Sequence, residues 1–131
     1  LKIKNTKFLY LGSTIVNNIF FQKMNKYELD IERKIIYRTV PRVKLTKTLI
    51  KKIKLNEIRA ILFYSQLATE TFLKLLTIHK IKKAKAKVKF FCISSRVAKP
   101  LRVNKLKFIY IADKPNEKSM IKLIKEELKI I

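Results

Sequence analysis

Glycine, cysteine and histidine each occur once in the 131-residue sequence, as Gly12, Cys92 and His79. Phosphate-binding loops of the GxGxxG or GxxxxGKS kind need several glycines close together, so both are excluded. One cysteine excludes a disulfide framework and a multi-cysteine metal site. The sequence also has no HExxH motif and no clustered pair of aspartates. We therefore expect no metal site.

These rare residues have simple structural interpretations. Cys92 lies in an apolar stretch, which predicts a small buried hydrophobic residue rather than a catalytic thiol. His79 stands beside Lys80 at a predicted helix end, where an exposed position is expected. Gly12 follows a predicted strand at the point where backbone freedom is most useful. The scarcity of glycine and histidine also argues against a serine nucleophile, because Ser65 lacks the flanking glycines and the nearby histidine that one needs.

Long apolar runs are missing as well. None approaches the roughly 18 residues of a membrane span, which argues against a membrane partner. Residues 1–4 lack the apolar core of a secretory signal. Together with the single cysteine, this favours a cytoplasmic setting. Because the sequence begins with Leu1 rather than Met, we expect either a fragment of a longer protein or a trimmed product.

Acidic residues are scarce, with 9 against 32 basic residues and a net charge of +23. A positive field of this size attracts polyanions, and nucleic acid and a small polycarboxylate are both candidates. The composition is rich in Lys and Ile and poor in Gly and Ala, which is typical of an AT-rich genome. Lysines such as Lys51, Lys52 and Lys54 could then form a solvated face. The charge alone does not decide between these partners.

Apolar stretches and helical patterns alternate along the chain. Most of the 131 residues belong to βα units, and residues 58–98 form the clearest pair of them. This alternation predicts an α/β fold with a mostly parallel sheet flanked by helices on both faces. The predicted strands are Lys7–Leu11, Ile31–Val40, Ile58–Tyr64, Val88–Ile93 and Leu106–Ala112.

Helices are expected between and after these strands, with Ala68 on the buried side of the third helix and Ile121 on that of the last. Thr46, Ser65 and Asn116 stand where each could cap one of them, and Ser13 or Thr14 could cap the first. Pro100 fits the predicted fourth helix only near its start.

Hydroxyl groups gather where the predicted strands end. The candidates are Ser13, Thr14, Tyr37, Thr39, Ser65, Ser94 and Ser95. In a parallel sheet these turns lie at the carboxyl edge, where open α/β folds bind ligands. Helix N-termini with free N–H groups also bind carboxylates and phosphates. Helix capping is the simpler interpretation for each single serine, whereas several hydroxyls at one edge favour a ligand.

Five stretches in chain order carry a resemblance to a known family. They are Leu9–Gly12, Ile36–Thr39, Leu62–Leu73, Cys92–Ala98 and Lys114–Asn116. The third resembles a strand that ends in a serine turn before an apolar helix. The fourth occupies the place of an Ile-Gly-Pro-x-Thr-Ala turn. The ordered set is similar to the C-terminal portion of the uroporphyrinogen-III synthase family.

The resemblance implies about half of a fold in which two α/β domains are joined by connecting strands, with the active site in the cleft between them. On this mapping residues 1–30 are the C-terminal βα unit of an otherwise missing middle domain. Residues 31–41 are a connecting strand, and residues 42–131 form most of the other α/β domain.

The resemblance also implies a reaction without a cofactor. Hydroxymethylbilane, a linear tetrapyrrole with eight carboxylates, loses its terminal hydroxyl, its last pyrrole ring is inverted, and uroporphyrinogen III forms. Tyr37 falls on the family tyrosine that helps the hydroxyl leave. The resemblance implies further substrate-binding residues, which are Ser13, Ser65, Gln66, Ser94, Ser95 and Val97. We expect a monomer.

The sequence departs from the family pattern at both turns. At the first turn Gln66-Leu67-Ala68 replaces Pro-Ser-Gly. At the second turn Ser94 and Ser95 replace Gly-Pro, and Val97 replaces the threonine, so its side chain cannot donate a hydrogen bond. Two alternatives stay open at this point. One is a small basic α/β protein that binds nucleic acid, for instance at the ribosome, although the aromatic residues at core positions argue against it. The other is an inactive structural remnant.

Overall fold

The computed structural model describes residues 6–16, 18–82 and 87–130 of the chain. Within them, strands and helices alternate strictly from β1 to α5. The elements are β1 (Lys7–Ser13), α1 (Asn18–Lys26), β2 (Asp30–Tyr37), α2 (Lys47–Lys54), β3 (Ala60–Phe63), α3 (Gln66–Ile78), β4 (Lys89–Cys92), α4 (Ser95–Val103), β5 (Ile109–Ile111) and α5 (Glu117–Leu128). The chain divides into two compact units, Leu1–Val40 and Pro41–Ile131.

The first unit contains a parallel pair of strands, β1 and β2, and the helix α1 that connects them. Tyr10 of β1 packs against Phe20 and Phe21 of α1, with ring centroids 5.6 and 5.0 Å apart. Leu9 and Leu11 alternate with Tyr10 along the strand and therefore point to the opposite face. Both remain more than half exposed.

The β1–β2 ladder changes register at its carboxyl end. Gly12 pairs with Ile35, but Ser13 pairs with Tyr37, which leaves Ile36 as the extra residue of a β-bulge. A bulge redirects the side chains that follow it. The bulge therefore places Tyr37 directly opposite Ser13.

The second unit is built on a parallel three-stranded sheet in the order β3-β4-β5. Its main core lies on one face of this sheet, against helices α3 and α4. The buried cluster there consists of Phe63, Leu73, Val88, Phe90, Cys92, Val97, Ala98 and Leu101. Burial of these apolar side chains stabilises the unit by about 25 cal/mol for each Å² of apolar area removed from water.

Helix α5 covers the other face of the sheet. Phe91 and Tyr110 stack there with ring centroids 5.4 Å apart, and Lys89 Nζ donates to the Glu127 carbonyl of α5 at 2.6 Å. Desolvation, and then the charge and hydrogen bond of the Glu127 carboxylate, raise the pKa of Tyr110. The predicted arrangement of a parallel sheet with helices on both faces is thus confirmed in this unit.

Three predicted caps are also confirmed, whereas the cap predicted at Ser13 or Thr14 is wrong because α1 begins only at Asn18. Thr46, Ser65 and Asn116 each accept a hydrogen bond from the third backbone N–H of the helix that follows. An N-cap of this kind contributes about 1 kcal/mol.

Several finer predictions are wrong. The strands β2 to β5 are shorter than predicted, because their ends continue as turns and caps. Pro100 lies at the sixth position of α4 rather than near its start. Ala68 and Ile121, predicted to face the core, are exposed, whereas Thr69 is fully buried.

The prediction that Gly12 provides backbone freedom at the strand end is also wrong. No glycine has a positive φ, so backbone freedom is not what the position requires. A Cβ on Gly12 would lie only 2.7 Å from Cε1 of Tyr10. The position therefore suits glycine because the Tyr10 ring lies against its α-carbon.

No helix among the described residues is long and apolar enough to cross a membrane. The prediction that residues 1–4 do not form the apolar core of a secretory signal concerns residues outside the described part of the chain.

Candidate functional site

The carboxyl ends of the three strands of the second unit lie side by side. The N–H of Ile93 donates to the Phe63 carbonyl at 3.1 Å, and the N–H of Ala112 donates to the Cys92 carbonyl at 3.0 Å. The turns that follow β3, β4 and β5 therefore meet at one edge of the sheet. This carboxyl edge is where ligands of open α/β sheets bind.

Two serines cap the helices that begin at this edge. Ser65 Oγ accepts from the Ala68 N–H at 3.1 Å, and Ser94 Oγ accepts from the Val97 N–H at 3.4 Å. Neither helix has an acidic residue in its first turn. The first N–H groups of a helix have no acceptor within it, and the helix dipole favours an anion there. Each hydroxyl thus acts as a cap beside backbone donors that suit a carboxylate.

The other residues predicted for these two turns differ in exposure. Ser95 is exposed at the first position of α4, and Gln66 is half-buried at the first position of α3. The Val97 side chain is only 5% exposed and belongs to the core cluster. Its side chain therefore packs in the core, and only its backbone lies at the edge.

Sequence reasoning missed a side-chain network that links these two helices. Arg96 Nε donates to Gln66 Oε1 at 3.1 Å, and Gln66 Nε2 donates to Glu70 Oε1 at 2.9 Å. The network fixes the orientation of the Gln66 amide, because its oxygen accepts and its nitrogen donates. No sequence pattern signals such a link, since it depends on the packing of α3 beside α4.

The third turn opens onto a surface cleft of about 500 Å³. Lys114, Lys118 and Lys122 lie along this cleft, together with Asn116 and Glu126. Lys122 forms an ion pair with Glu126 at 3.9 Å. Asp113 also lines the cleft, so its three lysines and two carboxylates leave a surplus of one positive charge. This surplus suits an anionic ligand.

A second group of hydroxyls lies at the end of the β1–β2 pair in the first unit. Ser13 is only 6% exposed, and its hydroxyl forms a hydrogen bond with that of Thr39. The Thr14 N–H donates to the Tyr37 carbonyl at 3.2 Å, and Thr14 Oγ1 accepts from the Thr39 N–H at 3.2 Å. The Tyr37 side chain is 59% exposed. The Tyr37 ring is thus exposed to solvent, while Thr14 holds the backbone at Tyr37 and at Thr39 by these two hydrogen bonds.

Arg33 supports this second group and was also missed by sequence reasoning. Its Nη2 donates to the carbonyls of Ser13 and Thr14, at 2.9 and 3.2 Å. These bonds satisfy carbonyl groups that follow the last regular pairs of the ladder. Arg33 therefore stabilises the turn that carries the two hydroxyls.

Cys92 and His79 take no part in either group. Cys92 is fully buried, and this burial raises the pKa of its thiol to about 11, opposed by the Arg102 charge. The interpretation of Cys92 as a buried hydrophobic residue is confirmed. His79 is half-buried rather than exposed, because its Nε2 accepts from the Leu45 N–H at 2.9 Å. Within the described ranges no group of His, Cys, Asp and Glu is placed to hold a metal ion.

Parallel βα units with capped, hydroxyl-bearing turns at the carboxyl edge define an α/β protein of the open parallel-sheet class, in which ligands bind at that edge. The sequence matches the family described as uroporphyrinogen-III synthase HemD over residues 1–122. The chain therefore belongs to the uroporphyrinogen-III synthase family, as the sequence resemblance predicted.

The fold agrees with this assignment. It is similar to the crystal structure of uroporphyrinogen-III synthetase from Helicobacter pylori, with a TM-score of 0.68 and 17% sequence identity. The similarity covers 95% of this chain and 55% of that chain, so the present chain spans about half the length of that protein. No curated protein matches the sequence.

Proposed function

We propose that this chain is part of a uroporphyrinogen-III synthase, a cyclising lyase that converts hydroxymethylbilane into uroporphyrinogen III. The family match over residues 1–122 is the observation that carries the proposal. The reaction breaks the bond between the terminal carbon and its hydroxyl, releases water, and closes the ring after inversion of the last pyrrole. A cytoplasmic location and a monomeric state belong to the same proposal.

Tyr37 is proposed as the catalytic residue of this reaction. Its hydroxyl would donate a hydrogen bond to the departing hydroxyl of the substrate and so help water to leave. The exposure of the side chain supports this role, since a ring packed in a core could not reach a substrate. The β-bulge at Ile36 and the hydrogen bond from Thr14 hold its backbone in place. Such fixed geometry lowers the cost of orienting the donor.

The carboxyl edge of the second unit is proposed to bind carboxylates of the substrate. Ser65, Ser94 and Ser95 stand there among the backbone donors of two helix N-termini. The lysines of the neighbouring cleft add positive charge. Ser13 is proposed as a further substrate-binding residue in the first unit. Its hydroxyl already bonds Thr39, so it would act by accepting or by exchanging that bond.

The division of the chain remains part of the proposal. Residues 1–30 would belong to a larger domain, residues 31–41 would be a connecting strand, and residues 42–131 would form most of a second domain. The exposure of Leu9 and Leu11 on the uncovered face of β1 supports a larger first domain. Apolar side chains that lie together on one face usually contact another part of a protein.

The isomer of the product tests the proposal. The protein, expressed from its complete reading frame, is incubated with hydroxymethylbilane, and the oxidised products are separated by chromatography. The type III isomer is expected, whereas the type I isomer forms spontaneously. Type I product alone would contradict the proposal. Salt-sensitive RNA binding in the same preparation would then favour the nucleic-acid-binding alternative.

The substitution Tyr37→Phe tests the catalytic residue. It removes the hydroxyl and keeps the ring, so kcat for type III formation should fall about 100-fold, as for loss of a positioned proton donor. Tyr27→Phe is the matched control, because Tyr27 is exposed to 72% and follows α1. An unchanged kcat in the Tyr37 variant would exclude Tyr37 from the proton transfer.

A further inference from the structure

Arg96 is held at the carboxyl edge by one end of its guanidinium group. Its Nε donates to Gln66 Oε1 at 3.1 Å. Among the described residues, neither Nη1 nor Nη2 of Arg96 has a hydrogen bond or an ion pair. The side chain is exposed. The outer edge of the guanidinium is therefore available to a ligand.

That outer edge has the geometry that a carboxylate prefers. Two parallel N–H groups of a guanidinium can bind both oxygens of one carboxylate, and such charge-assisted pairs are stronger than neutral hydrogen bonds. Arg96 stands at the second position of α4, close to the exposed Ser95 and to the cap Ser94. The free backbone donors of this helix end face the same kind of ligand.

Gln66 limits the freedom of this arginine. Its amide bridges Arg96 on α4 and Glu70 on α3, with bonds of 3.1 and 2.9 Å. An arginine held before a ligand arrives loses less rotamer entropy when it binds. Glu70 is the negative charge of the network, and its Oε1 is occupied by Gln66 rather than by Arg96.

The position of Arg96 is next to the place where the family pattern has lost a side-chain donor. Val97 stands where that pattern has threonine, and its side chain is buried in the core at 5% exposure. Its N–H already donates to Ser94 Oγ. The Val97 side chain therefore offers no hydrogen-bond donor to a ligand at this turn.

We propose that Arg96 binds a carboxylate of the substrate through Nη1 and Nη2, and that Gln66 is its positioning residue. This inference rests on the proposed function, because it takes a polycarboxylate as the ligand. It adds a substrate-binding residue at a position that the family pattern leaves variable.

Binding of uroporphyrin III, which has eight carboxylates, tests the inference through quenching of the porphyrin fluorescence. Arg96→Gln should raise the Kd about 10-fold, which corresponds to 1.4 kcal/mol. Arg96→Lys should recover part of this loss, because the charge returns without the paired donors. Arg102→Gln is the matched control, since it makes the same change in the last turn of the same helix.

A double-mutant cycle separates positioning from structure. Gln66→Leu should raise the Kd about 3-fold in the unmodified background and leave it unchanged in the Arg96→Gln background. Equal effects in both backgrounds would show that Gln66 does not act through Arg96. Melting temperatures of all variants check that the fold is retained.

Two outcomes overturn the inference on Arg96. If Arg96→Gln and Arg102→Gln weaken binding equally, the effect is one of net charge, and the proposed function is untouched. If the unmodified protein does not bind uroporphyrin, Arg96 is no carboxylate site. The isomer assay then decides the proposed function separately.

Discussion

Position 97 shows how one substitution changes what a turn can do. The backbone of Val97 still closes the cap with Ser94, so the strand-to-helix turn forms as it would with threonine. The side chain packs in the core with Ala98 and Leu101. Local structure and side-chain chemistry are therefore separable here. The turn persists, while a side-chain hydrogen-bond donor at position 97 is absent.

Cys92 makes the stability of the protein depend on pH in a defined window. Burial raises the pKa of its thiol from 9.0 to about 11, so the folded protein holds this proton more tightly than the unfolded chain. The stability that the protonated thiol contributes is fully present below pH 9 and is lost as the pH rises towards 11. Within that window each pH unit lowers the free energy of unfolding by about 1.4 kcal/mol.

The variant Cys92→Ala isolates this effect. At pH 8 it should be less stable than the unmodified protein, because it leaves a small cavity in the core. The difference should shrink by about 1 kcal/mol at pH 10, where the unfolded thiol ionises. Denaturant titrations at both pH values measure it. Effects of pH that the two proteins share cancel in this difference, so a constant difference would show that Cys92 does not contribute.

At the level of elements, the scarcity of glycine is visible at the ends of the helices. Three helices end in a Schellman motif, in which a residue with positive φ follows the C-cap. Those residues are Asn56, Lys80 and Lys105, with φ of 57°, 52° and 57°, and in α5 the C-cap Lys129 itself has a φ of 52°. For α4, the Lys105 N–H donates to the Arg102 carbonyl and the Leu106 N–H donates to the Leu101 carbonyl. The motif forms without the glycine that usually serves it.

Lys105→Gly should therefore stabilise the protein. A side chain in the left-handed region costs roughly 1–2 kcal/mol, and the greater freedom of glycine when unfolded offsets part of the gain. An increase of about 0.5–1 kcal/mol in the free energy of unfolding is expected from urea titration. Lys99→Gly, in the interior of the same helix, should lower it by about 1 kcal/mol. A loss of stability in the Lys105 variant would contradict this account of the helix end.

The elements themselves were largely predictable from the sequence. Strand, turn and helix alternate with clear changes of hydrophobic period, and Thr46, Ser65 and Asn116 fit the cap positions by residue type. The position of Pro100 was not predictable. A proline costs a helix one hydrogen bond. In α4 the core contacts of Ala98 and Leu101, on either side of Pro100, outweigh this loss.

At the level of the whole molecule, the candidate site was only half predictable. Hydroxyls at strand ends follow from chain order, because parallel strands place all their carboxyl ends at one edge. Arg33 and Arg96 could not be foreseen. Each bonds a residue on another element, and those bonds depend on the β1–β2 register and on the packing of α3 beside α4. The register itself includes a bulge that no local pattern indicates.

The balance of charges is also a property of the whole molecule. The chain carries a net charge of +23, and three ion pairs occur in the part of it that the structure describes. Repulsion between the many unpaired lysines opposes the compact state. Two of the ion pairs are well exposed. They contribute little to the free energy of unfolding, since exposed pairs are worth about 0–1 kcal/mol.

Salt should therefore raise the thermal stability of this protein. Raising NaCl from about 10 mM to about 300 mM shortens the Debye length from roughly 30 Å to less than 10 Å and screens the repulsion between lysines. Because repulsive pairs outnumber ion pairs, we expect an increase of several degrees in Tm. Scanning calorimetry at constant pH measures it, and KCl at the same ionic strength should give the same shift. A fall in Tm with added salt would show that ion pairs, rather than the excess of positive charge, dominate the electrostatics of the folded state.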